Sequence, residues 1–135
     1  MGIEITIKHT LSDEFLMDVM ITMVETPPAS WFKFIDVNRR EDLMITDFTV
    51  VDQEDIYEYQ EDKAAGAEPD EPERHLVTPQ KVAEGIERIL SADMVSNDIA
   101  DAIARGARDN DAGDIDAIGA DCILQVICFD EVLYG

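Results

Sequence analysis

A net charge of −21 on 135 residues sets the terms on which this chain can fold. Its 31 Asp and Glu face only 10 Lys and Arg, so any compact state must tolerate strong self-repulsion. Hydrophobic residues still make up 46% of the chain, enough for a core, which separates it from disordered acidic tails. The field of such a domain repels DNA, RNA and anionic membranes and attracts basic surfaces. Charge therefore constrains the partners of this protein more tightly than its chemistry.

By length the chain is a single domain, 1–135, large enough to fold without disulfides or metals. Its two cysteines, Cys122 and Cys128, lie six apart in an apolar stretch. On a helix that spacing puts them about 120° apart, so buried free thiols are expected, in a reducing intracellular setting. Met1-Gly2-Ile3-Glu4 carries neither a basic region nor an apolar signal core, and no apolar run is long enough for a membrane span. The expected location is cytoplasmic.

Ile3, Ile5 and Ile7 alternate with polar residues and predict a strand. Ser12, with Asp13 and Glu14 behind it, predicts the start of a helix that is apolar on nearly every side and ends at Thr26-Pro27-Pro28. Two runs rich in aromatic and β-branched residues, 31–37 and 44–51, predict an antiparallel hairpin around the polar link 38–42. Leu76-Val77 reads as a short strand. Thr78 and Pro79 open a second helix with Val82, Ile86, Ile89 and Leu90 on one side. Ser96 opens a third, with Ile99 and Ile103 inward, and the last helix covers about 115–129. The predicted class is α+β: a small antiparallel sheet of three or four strands packed with about four helices.

The segment between the hairpin and Leu76 differs in kind. Residues 52–73 hold ten acids and a single base, Lys63, together with Gly66, Pro69 and Pro72, which predicts a surface loop or flexible acidic insertion at 53–74. Within it Asp55, Tyr57, Glu58, Tyr59, Glu61 and Asp62 interleave aromatics with carboxylates. Read as a strand, Tyr57 and Tyr59 share a face with Asp55 and Glu61, while Glu58 and Asp62 point away. One reading is an interaction patch in which carboxylates meet Lys and Arg and the tyrosines supply packing. The other is a solvated strand. A second acidic stretch, 108–116, contributes Asp109, Asp111 and Asp114.

Motifs for chemistry are lacking. An EF-hand loop begun at Asp109 puts Gly113 at position 5, Asp114 at position 6 and Ala120 at position 12, and so fails the template. His9 and His75 are not at zinc-ligand spacing, and no phosphate loop, nucleophile elbow or zinc-protease motif occurs. Neither enzymatic activity nor a metal or other cofactor is expected. Trp31 reads as a core anchor, Arg39 and Arg40 as polar residues at a hairpin tip. Asp121 and Gln125, polar within an apolar terminus, either satisfy backbone groups or mark a groove beside Trp31.

The C-terminal residues 120–135 carry Ala120-Asp121-Cys122-Ile123-Leu124-Gln125, then Phe129-Asp130-Glu131, then Tyr134-Gly135. This stretch resembles a family of small uncharacterised bacteriophage and prophage proteins that end in Ala-Asp-x-Ile-x-Gln, Phe-Gly-Glu and Tyr-Gly. Glu25 and Trp31-Phe32 resemble the family's Glu-Gly-Gly and aromatic-Trp region, with Thr26-Pro27-Pro28 in place of the glycines and Asp130 in place of the later one. The resemblance implies a viral origin, hence the cytoplasm of an infected host cell, and implies no activity.

Two functions follow as expectations. The first is a DNA-mimic-like inhibitor that docks on a basic, nucleic-acid-binding surface of a host defence protein of the restriction or CRISPR kind, binding neither nucleic acid nor membrane itself. The second is a small accessory or ligand-binding protein, compatible with a homodimer, with an apolar pocket near Trp31 and the last helix. On the second view the acidity is only a surface adaptation.

Overall fold

The computed structural model describes residues 9–25 and 31–134. The expected strand at Ile3–Ile7 and the stop at 26–28 lie outside them. Helix α1 (Asp13–Glu25) begins where predicted, with Ser12 Oγ accepting from Phe15 N at 3.1 Å. Its buried residues point in several directions, among them Phe15, Val19, Met20 and Met23, so it runs through the core.

Strands β1 (Phe32–Arg39) and β2 (Ile45–Asp52) form the predicted hairpin, and β3 (His75–Val77) adds to the far side of β2. All pairings are antiparallel, in the order β1-β2-β3. The hairpin register shifts twice. Phe34 pairs with Val50 but Val37 pairs with Phe48, so Ile35 and Asp36 together oppose Thr49. This is a β-bulge, which bends a strand and re-aims its side chains. Phe48, Val50 and Val77 are fully buried and rest on the helical layer.

Helix α3 (Pro79–Ser91) is capped by Thr78, whose hydroxyl accepts from Lys81 N. Helix α4 (Asn97–Asp109) ends in left-handed Asn110, at φ +50°. Asn110 also ties this corner to α1: its Oδ1 accepts from Ser12 N at 2.8 Å and its Nδ2 donates to Thr10 O at 3.3 Å. A single 3-10 turn, Ala112–Asp114, leads to α5 (Ala117–Phe129), capped by Asp116. Helix α5 is buried from Gly119 to Val126 and packs against α1, α3 and α4. The result is a single α+β domain with three strands and five α-helices among the described residues.

Residues 53–64 correct the sequence expectation. They form a helix, α2 (Gln53–Ala64), and only 65–74 form the extended return to β3. Asp52 caps α2, accepting from Glu54 N at 2.8 Å, and Gly66 just beyond its end sits at φ +85°, the left-handed region glycine occupies at no steric cost. None of its residues is fully buried; Ile56 and Tyr59 are half-buried against the outer face of the sheet, where Val51 lies. The expected loop at 108–116 is likewise partly ordered, by the end of α4 and the 3-10 turn. His75 is half-buried on β3 and meets Phe129 edge-on at 6.0 Å.

The junction of α4 with the 3-10 turn is tight. A Cβ on Gly106 would lie 2.9 Å from the Asp111 carbonyl oxygen and 3.1 Å from Ile115. Gly106→Ala is therefore expected to destabilise the fold by about 1–3 kcal/mol, read as a lowered thermal midpoint in calorimetry.

Candidate interaction surface

A helix advances about 100° per residue, and this changes the geometry of the acids at 54–62. Glu54, Asp55, Glu58, Glu61 and Asp62 all fall within an arc of about 120° on α2. The strand reading put Glu58 and Asp62 opposite Asp55 and Glu61; the helix unites them in one stripe. Along the axis the stripe covers about 12 Å, or one charge per ~3 Å, close to the ~3.4 Å per phosphate of one DNA strand.

The return segment doubles the stripe. Asp55, Glu58 and Asp62 of α2 face Asp70, Glu71 and Glu73 across a cleft of about 360 Å³. Two prolines, Pro69 and Pro72, stiffen that wall, and Tyr59 closes one side. Glu54 and Glu61 flank the cleft on exposed positions of α2. The carboxylates line walls without converging: among the described residues no group of His, Cys, Asp and Glu is placed to hold an ion.

Among the described residues the carboxylates of this surface form no ion pair. The described ion pairs join Arg39 to Glu25, Arg40 to Asp42, Arg88 to Asp130 and Arg108 to Asp109. None reaches a carboxylate of α2 or of 65–73. Lys63, the one base there, donates to Tyr59 Oη at 3.2 Å and lies 5.3 Å from that ring's centre. This cation–π contact leaves the acidic stripe uncompensated. Tyr57, the second expected aromatic, is 59% exposed, on the side of α2 between Glu61 and Gln60.

The remaining expected residues do not join the cleft. Asp109 pairs with Arg108, which holds its carboxyl below the usual range. Asp111 turns back to accept from Gly113 N at 2.8 Å, and Asp114 ends the 3-10 turn. That turn packs on α1 and α4, whereas α2 packs on β2. Burial, then Glu14 and Asp111, push the Asp18 carboxyl up. The two acidic stretches are thus separate surfaces.

Asp121 and Gln125 are structural. Asp121 accepts from Trp31 Nε1 and from Gln125 Nε2, each at 2.7 Å. Gln125 Nε2 also donates to Tyr134 O at 2.9 Å, and Gln125 Oε1 accepts from the backbone N–H of Leu133 and Tyr134. The space beside Trp31, expected as a pocket under the accessory reading, is filled: Tyr134 stacks on the indole at 5.5 Å, with Phe32 and Phe129 around it. Tyr134 Oη donates to Asp52 at 3.0 Å. Both cysteines are free, and burial raises both thiols, Cys128 to about 12.

Comparison with protein-family models, with curated proteins and with solved structures finds no match. No helix among the described residues is long and apolar enough to cross a membrane.

Gln125→Leu keeps the volume but strands two backbone donors and one oxygen of Asp121, and is expected to cost about 3 kcal/mol or more in chemical denaturation. The Tyr134 phenol, desolvated and bonded to Asp52, is pushed up from 10.0 to about 12. A raised pKa favours the folded state while the proton is on. Its contribution is complete below pH 10.0 and disappears towards pH 12. Tyr134→Phe is expected to flatten the fall in stability across that window, leaving the slope due to Cys122 and Cys128.

Proposed function

We propose that this chain is an acidic, phage-type inhibitor that occupies a basic, nucleic-acid-binding surface of a host protein in the manner of a DNA mimic. A restriction or CRISPR-type defence complex is the proposed target. The observation that carries this reading is the uncompensated stripe on α2, extended by the carboxylates of the facing return segment. Carboxylates at an axial charge density close to that of one DNA strand present a basic groove with the sign and density of charge it binds. They also accelerate encounter and make the complex salt-sensitive. The same field repels nucleic acid and anionic membranes, so neither is a partner.

A second reading rests on acids elsewhere. Asp13 and Glu14 on α1, Asp36 and Asp47 on the hairpin, Glu84 and Glu87 on α3 and Asp98 and Asp101 on α4 spread charge over the whole molecule. That spread favours surface adaptation in an accessory protein, alone or as a homodimer.

Capture from nuclease-treated bacterial lysate at about 50 mM and about 500 mM salt separates the two. The inhibitor reading expects a nucleic-acid-binding protein that is captured only at low salt and released by competing DNA. Reversing Glu58, Glu61 and Asp62 to Lys is expected to weaken that capture at least about tenfold while circular dichroism stays unchanged. Unchanged binding by this variant sinks the inhibitor reading, and recovery of the protein alone at both salts favours the accessory one.

A further inference from the structure

Tyr59 is a partition between two grooves. Beyond it, past the shared Glu71 and Pro72, the acidic cleft continues into a second groove of about 500 Å³ on the outer face of the sheet. Its floor is apolar, with Ile35 from β1, Val51 from β2 and Ile56 from α2, and its rim is polar, with Lys33, Gln60, Glu71 and Arg74. Lys33 and Arg74 line this groove and not the acidic one.

The bulge accounts for the opening. Ile35 stands in the two-residue bulge opposite Thr49, on the strand at the end of the β1-β2-β3 order, and is 40% exposed. Helix α2 covers Val51, which is 3% exposed, and stops short of Ile35. An apolar recess thus lies directly beside a wall of unpaired carboxylates.

We infer that the two grooves form one channel for an extended protein segment with an apolar anchor next to a run of Lys and Arg. The inference rests on the acidic-surface reading and adds the anchor to it. Charge complementarity names the occupant: carboxylates draw the basic run into the cleft, while Lys33 and Arg74 repel it from the recess. A segment with its basic residues on one side of the anchor is accepted in one direction only, and its reverse places cations against Lys33 and Arg74. The apolar anchor supplies binding that salt does not screen.

The test is a synthetic peptide library with a fixed Lys-Arg-Lys core and randomised positions on both sides, selected on the immobilised full chain at low salt. The expected result is enrichment of Leu, Ile, Phe or Met on one side of the core. A selected peptide should bind about tenfold or more tightly than its glycine-substituted control of equal charge. Ile35→Gln, a change at a position 40% exposed, should reduce that preference and leave the control's affinity unchanged. Asp55→Lys with Asp62→Lys should weaken both peptides. Enrichment of apolar residues on neither side, or equally on both, overturns the inference while the acidic reading stands. Failure of every basic peptide to bind overturns the inference, while the acidic reading stands or falls separately by the lysate capture and its charge-reversal variant.

Discussion

One fully buried carboxamide ties the last described residues to the core. Gln125 engages Asp121, the backbone of Leu133 and the backbone of Tyr134, and Asp121 in turn receives the Trp31 indole. The described residues leave no buried side-chain polar atom without a partner. In a low-dielectric interior a complete network of this kind rigidifies, whereas a broken one is costly. It fixes Tyr134 on the indole face and delivers its hydroxyl to Asp52. Asp52 is also the cap of α2, so the first turn of the acidic helix is referenced to the C-terminus through two hydrogen bonds.

The fold reconciles its charge with its core by segregation. Apolar residues of α1, α3, α4 and α5 meet under the inner face of the sheet. The densest acids are placed on the opposite face, on a helix that buries none of its residues fully. Helix α2 relies on end chemistry instead: an Asp cap, Glu54 and Asp55 in the first turn, Lys63 in the last turn and a left-handed glycine beyond.

Elements with a core-facing pattern were legible in the sequence. The hairpin, the Thr78-Pro79 start of α3, the inward Ile103 of α4 and the buried α5 all follow from apolar spacing and caps. Helix α2 was not, because apolar periodicity reports burial and this helix buries almost nothing. Its ends did carry a readable signature, from Asp52 to Gly66. The candidate site was legible as composition and not as arrangement. Asp55, Glu58, Tyr59 and Asp62 were identifiable by type, but whether they share a face depends on helix against strand. Glu54 joins only once 53–64 is a helix, and Asp70, Glu71 and Glu73 only once the return segment is in place. Ile35 reads as an ordinary strand residue, since a bulge on an edge strand leaves no mark in a single sequence.

A helix whose outward side chains make no core contacts carries a surface that contributes little to the stability of the domain beneath it. Exposed substitutions away from caps and packing usually change stability by less than about 0.5 kcal/mol. The outer arc of α2 can therefore be redrawn residue by residue while the domain beneath stays folded. Its anchor points cannot: Asp52, Ile56 and Tyr59 bear on the sheet or on the helix start. The molecule thus joins a frame that constrains substitution to a face that tolerates it.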